Sequence, residues 1–289
     1  MSKQRIAILS GKGGTGKTLV SVNLASVAEH AMYIDCDVEE PNGHLFFKPE
    51  HILEKTVTVR VPRVNPALCD GCRVCVDFCA FNALALAKNS LLIFDGICHS
   101  CGGCVLFCPQ NALHEEDRPI GCVREGSSGA VAVKSGFLNP GEASGIPIIQ
   151  ELLAVPASDH HEQIFIDCPP GSSCMAMESI TDADFCLLVV EPTRFGVHDL
   201  SMVYELVRLF KKPFAAVLNK CTEGTNPAER FCREHNIPIF ARIPHDPVLG
   251  LMHSNALIAA NEDDKYHDIF SDLLHQLTKE ISHAAVSHS

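Results

Sequence analysis

Gly11-Lys12-Gly13-Gly14-Thr15-Gly16-Lys17-Thr18 constrains this chain more than any other stretch. It follows a short apolar run, Ile6-Ala7-Ile8-Leu9, and opens into Leu19-Val20-Ser21-Val22-Asn23-Leu24-Ala25, which has helical apolar spacing. Strand, glycine loop and helix, in that order, are what a phosphate cradle requires. The glycines let successive backbone N–H groups turn inward with no Cβ in the way, forming a concave anion nest. The helix N-terminus adds partial positive charge behind it. Lys17 then reaches the β- and γ-phosphates, and the Thr18 hydroxyl suits Mg²⁺. The same octet alone could be a glycine-rich turn. The strand before it and the helix after it select the nucleotide site.

Cysteine supplies the second constraint, with 15 in 289 residues. The N-terminus reads directly into a strand without a signal peptide, so a cytoplasmic location is expected. In such a chain, cysteines imply metal or redox chemistry rather than disulfides. Cys69, Cys72, Cys75 and Cys79 form a C-x₂-C-x₂-C-x₃-C run, repeated as Cys98, Cys101, Cys104 and Cys108 and closed by Pro109. This is the two-cluster bacterial ferredoxin pattern, in which the fourth cysteine of each run ligates the other cube. Cys69, Cys72, Cys75 and Cys108 are therefore expected to bind one [4Fe–4S] cluster, and Cys98, Cys101, Cys104 and Cys79 the second. Zinc, the competing ion, favours two pairs separated by a spacer and fits two complete four-cysteine runs less well. Ala80 departs from the pattern, standing where proline usually follows the first run. Between the runs, Ala83-Leu84-Ala85-Leu86 and Leu91-Leu92-Ile93-Phe94 read as a small hairpin over the clusters, and His99 as a loop residue. Cys122 and Cys174 lie outside the pattern and read as a structural and a small apolar residue, with redox roles as the alternative.

Composition narrows the partners. Hydrophobic residues make up 46% and charged residues 20%, as in ordinary globular proteins. A net charge of −12 argues against nucleic acid or an anionic membrane as the main partner. No apolar run approaches the roughly 18 residues of a membrane span.

Lys12 is the unusual member of the glycine octet. With it, the motif resembles the deviant Walker A motif of the MinD/ParA, Mrp and nitrogenase-iron-protein group of ATPases. That resemblance implies ATP hydrolysis, slow without a partner, in a nucleotide-sandwich homodimer where Lys12 touches the partner's nucleotide. It extends to Asp35-Cys36-Asp37 after the second strand, similar to the group's switch I. There Asp37 would activate the attacking water and Asp35 would assist Mg²⁺ through its water shell. Carboxylates so placed also serve as loop or helix caps. The strand Ile164-Phe165-Ile166 delivers Asp167 to Asp-Cys-Pro-Pro-Gly, which resembles switch II. Asp167 would be a second outer-sphere Mg²⁺ carboxylate, and Gly171 would offer its N–H to the γ-phosphate. Pro192 and Asn219 stand where relatives hold adenine, although Asn219 is equally a turn residue.

The fold expected from this resemblance is a mostly parallel α/β sheet with helices on both faces, interrupted by a small α+β insertion. The ATPase domain would span 1–59 and 119–289, and the ferredoxin domain 60–118. The C-terminal helix carries few cations, so it is expected to pack on the core rather than anchor to a membrane. The expected function is ATP hydrolysis coupled to electron transfer through two [4Fe–4S] clusters, with ATP/ADP and Mg²⁺ as the other ligands. An iron–sulfur carrier serving an apo-acceptor is the alternative, though a C-terminal C-x-x-C pair is lacking. A MinD-like positioning ATPase would leave the cysteines unexplained. The redox partner is not legible.

Overall fold

The computed structural model describes residues 3–156, 159–224 and 226–287. In chain order the first elements are β1 (Gln4–Leu9), α1 (Lys17–Val27), β2 (Ala31–Asp35), α2 (Gly43–Phe47) and β3 (Glu50–Val64). The cysteine-rich segment holds α3 (Val74–Phe78), β4 (Leu84–Ala87), β5 (Ser90–Ile93) and α4 (Gly103–Leu106). The chain returns through β6 (Leu113–Ser128), β7 (Val131–Leu138), α5 (Ile146–Leu153), β8 (Gln163–Asp167), α6 (Cys174–Ile180) and β9 (Phe185–Val190). It ends with α7 (Arg194–Leu209), β10 (Phe214–Cys221), α8 (Pro227–Glu234), β11 (Ile239–Pro244), α9 (Pro247–Ser254), α10 (Ala259–Glu262) and α11 (Asp264–Ser287).

Nine strands form one sheet in the order β11-β10-β9-β1-β8-β2-β7-β6-β3. Pairing is parallel from β11 to β7 and antiparallel at β7–β6 and β6–β3. The central strands are apolar without alternation, as strands covered on both faces must be. Phe185 to Val190 are all buried. One face packs α1 and α11 over Ile6, Tyr33 and Phe165, and the other packs α5, α6 and α7 over Leu9, Ile34 and Ile166. Phe270, Leu273 and Leu277 of α11 lie in the first of these cores, so this helix packs inward as expected. Among the described residues no helix is long and apolar enough to cross a membrane.

The cysteine segment is carried on an arm. β3, 15 residues and about 50 Å long, pairs with β6 along its length, from Glu50 opposite Ser127 to Val64 opposite Leu113. Only the near half of β6, from Gly121 onward, also pairs with β7. The register slips where Thr58 faces Pro119 and Val57 faces Gly121, leaving Ile120 as the extra residue. Proline has no N–H for the ladder, so a bulge falls there, and a bulge bends the strands. Ile120 turns into the core and is 2% exposed. The outer half, with charged residues at Arg60, Arg63, Glu115, Glu116 and Asp117, projects beyond the sheet. The boundaries expected at 59/60 and 118/119 thus fall inside continuous strands rather than in linkers. The compact part of the cysteine-rich segment is the stretch between Val64 and Leu113.

That stretch has its own small core of Cys75, Ala83, Leu84, Cys104 and Leu113. β4 and β5 pair as the expected hairpin. After the second run the chain enters β6 directly at Leu113. Cys122 is half-buried in β6, Cys168 is buried, and Cys174 is exposed at the start of α6 rather than packed as a small apolar residue.

Candidate functional site

The glycine loop lies at the carboxyl end of the central strand β1, where open α/β sheets receive ligands. Two glycines are dictated by contact. A Cβ on Gly16, whose φ is 97°, would stand 2.0 Å from Asn219 Nδ2, and one on Gly11 would stand 2.1 Å from the Asp199 carbonyl oxygen. The loop is pinned from below. Ser10 Oγ and Thr15 Oγ1 donate to the Lys12 carbonyl at 2.9 and 3.0 Å. Asn219 Nδ2 donates to the Thr15 carbonyl at 2.8 Å, and the Lys220 ammonium to that of Gly14 at 2.8 Å. Gly16 caps α1, so Lys17 and Thr18 open that helix with its N–H groups behind the nest. A cleft of about 660 Å³ lies over the loop, reaching Asp37 on one side and Asn219 and His253 on the other. That is an ordinary size for a small-molecule site.

Acidic groups surround Lys17, which is 6% exposed. Its ammonium donates to Asp167 Oδ1 at 2.5 Å and lies 3.8 Å from Asp37 Oδ2. Burial alone would lower the Lys17 pKa, but Asp167, Asp37 and Asp35 together raise it. Asp35 and Asp167 sit opposite each other on β2 and β8. Asp35 accepts from the N–H groups of Asp37, Asn42 and Gly43 at 3.1, 3.0 and 2.9 Å, which folds the segment after β2 around it. Burial and then the Asp167 charge push Asp35 up to about 7, against the pull of Lys17 and these N–H groups. Burial also pushes Asp37 up to about 6, with Lys17 opposing. Three carboxylates face one ammonium, so full ionisation leaves two negative charges uncompensated. A divalent cation beside phosphate oxygens is the ligand this donor set fits.

Other expected residues stand differently. The Gly171 N–H donates to the Ser10 carbonyl at 2.9 Å, so it braces the base of the loop and is not offered to a phosphate. Pro192 does not line the cleft, whereas Asn219 does and is 3% exposed. Its amide NH₂ is engaged by Thr15 and its carbonyl oxygen accepts from the Lys220 N–H, so it holds the loop's shape. Lys12 folds back onto its own chain, 3.4 Å from Glu191 and 4.0 Å from Asp199, with 40% of its side chain exposed.

Sequence reasoning missed three contributors. Tyr33, wholly buried, donates its hydroxyl to Asp167 Oδ2 at 2.9 Å. The period-2 alternation of β2 puts Tyr33 on the face of Asp35, which was the available signal. Glu191 receives the Lys220 ammonium at 2.5 Å as well as Lys12. Burial raises Glu191, but the two lysines outweigh it and leave it lowered. His253 reaches the cleft from α9 and stacks on Phe46, with nothing in its sequence neighbourhood to mark it.

The cysteines form two small cavities. One is lined by Cys69, Cys72, Cys75 and Cys108, the other by Cys98, Cys101, Cys104 and Cys79. These are the crossed sets expected from the spacing. The fourth cysteine of each run accepts a backbone N–H from the fourth residue onward, Ala83 to Cys79 at 3.4 Å and Ala112 to Cys108 at 3.3 Å. None of the fifteen cysteines is in a disulfide. Among the described residues no three His, Cys, Asp or Glu are drawn together as a metal-ion site. The iron–sulfur assignment therefore rests on spacing and on the composition of these two cavities.

Three comparisons bear on this geometry. Residues 6–263 match the family model of the CobQ/CobB/MinD/ParA nucleotide binding domain. The chain is 32% identical over 278 residues to the uncharacterized protein MJ0578 of Methanocaldococcus jannaschii, covering 94% of this chain and 96% of that one. In fold it is similar to the cell division ATPase MinD of Pyrococcus furiosus, with a TM-score of 0.60 at 19% identity over 96% of this chain and 98% of that one. MinD of Pyrococcus horikoshii, solved with Mg-ADP, gives 0.57 at 19% identity over 95% and 96%.

Proposed function

Because this chain belongs to the CobQ/CobB/MinD/ParA family of nucleotide-binding domains, as one of its P-loop ATPases, we propose that it hydrolyses ATP in a nucleotide-sandwich dimer and couples hydrolysis to electron transfer through two [4Fe–4S] clusters on its arm. One observation carries the coupling. Two crossed sets of four cysteines sit at the tip of an arm whose root is linked, through Leu138 and Asn139 at the end of β7, to the segment after Asp37. Val38 accepts the Leu138 N–H at 2.9 Å, and the Asn139 N–H reaches Ile120 of the arm at 2.8 Å. Arg118 on the arm grips Glu142 with two bonds of 2.6 Å and also donates to the Asp95 carbonyl of the cysteine segment at 3.3 Å. Arg63 holds the Asp95 carboxylate with two bonds of 2.8 Å. A contiguous set of contacts thus joins Asp37 to the cysteine segment.

At the nucleotide, backbone N–H groups from Gly11 to Gly16 hold the phosphates. Lys17 exchanges Asp167 and Asp37 for β- and γ-phosphate oxygens. Thr18, Asp35 and Asp167 would hold Mg²⁺ beside the phosphates. Mg²⁺ supplies charge neutralisation at the transferred phosphoryl group. Asp37 orients the attacking water, a positioning role of the kind that dominates phosphoryl transfer. Lys12 reaches the partner's nucleotide. Its release is inexpensive, because a half-exposed pair at 3.4–4.0 Å is worth at most about 1 kcal/mol. Glu191 keeps Lys220 when Lys12 leaves.

The clusters, when bound, supply one-electron transfer. Cys69, Cys72, Cys75 and Cys108 hold one, and Cys98, Cys101, Cys104 and Cys79 the other, in a ferredoxin-type domain that includes the outer arm. A second reading, transfer of clusters to an apo-acceptor, is favoured by the exposure of Cys72 and Cys101. Anaerobic purification tests the assignment. About eight irons per chain that persist through ATP turnover are expected. Zinc without iron would overturn the cluster reading, and iron passed to an acceptor would select the carrier.

A further inference from the structure

A second cavity, of about 280 Å³, lies away from the nucleotide between α2 and the root of the arm. It exceeds the roughly 150 Å³ of an apolar cavity that holds benzene, and falls just under the usual range of small-molecule sites. Its walls mix Ile52, Val133 and Phe137 with polar groups that have no partner. Ser135, 2% exposed, leaves Oγ without a hydrogen bond, and so does the buried Nδ1 of His44. Leaving a buried polar atom unpaired costs roughly 1–3 kcal/mol, so two on one cavity wall mark where a ligand's polar end belongs. Burial and the nearby Arg124 guanidinium hold the His44 imidazole below its usual pKa, so it is neutral at pH 7 and offers one N–H.

The charges around the opening decide the sign of that polar end. Arg124 lies 4.5 Å above the Phe137 ring and is held by Glu54 at 2.8 Å, while Glu125 is held by Lys134 at 3.1 Å. These two pairs cancel. Among the described residues, no carboxylate lies within 4 Å of the exposed Lys48 ammonium, so the opening keeps one net positive charge.

We propose that this cavity is a second ligand site, which takes a small organic carboxylate. Ser135 Oγ and His44 hold the carboxylate, Lys48 neutralises it, and Phe137, Val133 and Ile52 cover an apolar body about the size of a phenyl ring. One net positive charge matches a monoanion better than a phosphate ester. The site has a route to the nucleotide, because His44 follows Gly43, whose N–H holds Asp35.

Isothermal titration of the full-length chain with benzoate, phenyl phosphate and benzyl alcohol, under saturating Mg·ADP to fill the phosphate loop, tests this. Benzoate is expected to bind at least tenfold more tightly than benzyl alcohol. Ser135→Val and Lys48→Gln are each expected to weaken benzoate at least fivefold with ADP affinity unchanged. Lys48 is exposed, so its variant folds even if the Ser135 variant does not. Equal binding of benzyl alcohol, tighter binding of phenyl phosphate, no binding of benzoate, or a Lys48→Gln chain that binds benzoate normally would each overturn the proposal.

Discussion

Tyr33→Phe tests how the two switch segments are joined. Tyr33 and Asp167 are both wholly buried, and the 2.9 Å bond between them gives one carboxylate oxygen its partner while Lys17 takes the other. Phenylalanine keeps the ring, which packs 5.0 Å from Phe47, and fills almost the same volume. The hydroxyl itself stands where a Cβ on Gly43 would be, 2.2 Å away, so it is enclosed and water does not take its place. The loss is thus one buried hydrogen bond to an ionised group, about 1.5–3 kcal/mol. At about 2 °C per kcal/mol for a chain of this size, Tm falls by about 3–6 °C. Urea unfolding of nucleotide-free protein measures this directly, with the midpoint lowered and the m-value unchanged. A loss below about 0.5 kcal/mol would refute the reasoning, since it would mean the hydroxyl's bond to Asp167 stabilises nothing.

Three further outcomes are expected. Lys12→Ala should bind ATP through Lys17 yet fail to dimerise on it, as read by light scattering; a variant that dimerises normally removes the role in trans. Acid should affect this site unusually. Asp35 at about 7 and Asp37 at about 6 hold protons in the fold that the unfolded chain, near 3.8, has released. Their contribution to stability is therefore complete below pH 4 and falls as pH rises to about 7. Mg·ADP requires them ionised, so calorimetry in buffers of different ionisation enthalpy should show proton release at pH 6 and tighter binding at pH 8. Glu142→Gln leaves Arg118 without its carboxylate and should weaken communication between nucleotide and cysteine segment while ATP affinity in the oxidised protein stays within about twofold of the parent. A Glu142→Gln protein that keeps full communication removes this contact from the route.

Much of the nucleotide site was legible because its constraints are local. The octet fixes its own strand–loop–helix context, and Asp35 and Asp167 follow as the carboxyl ends of adjacent strands, with Asp37 two residues beyond the first. The cysteine spacing anticipated which cysteines line each of the two small cavities. What sequence could not give are contacts between distant segments. The Gly171 N–H is consumed by Ser10, a partner 161 positions away. Asn219 braces Thr15, which a strand-end asparagine does not announce. The arm crosses the expected domain boundaries because residues 114–118 are polar or charged without strand alternation, and only pairing with β3 makes them strand. The cavity at Ser135 and His44 is assembled from β7 and α2, with no motif in either.

Nucleotide affinity measured with the cysteine segment oxidised and then reduced tests the central claim most directly. Coupling of about tenfold, 1.4 kcal/mol, corresponds to about 59 mV for one electron. Linkage requires that ATP shift the midpoint potential by the same factor as reduction shifts ATP affinity. The account predicts ATP affinities that differ at least threefold between the two states, with a matching shift in potential. Equal affinities, together with a potential that ATP leaves unmoved, would contradict it.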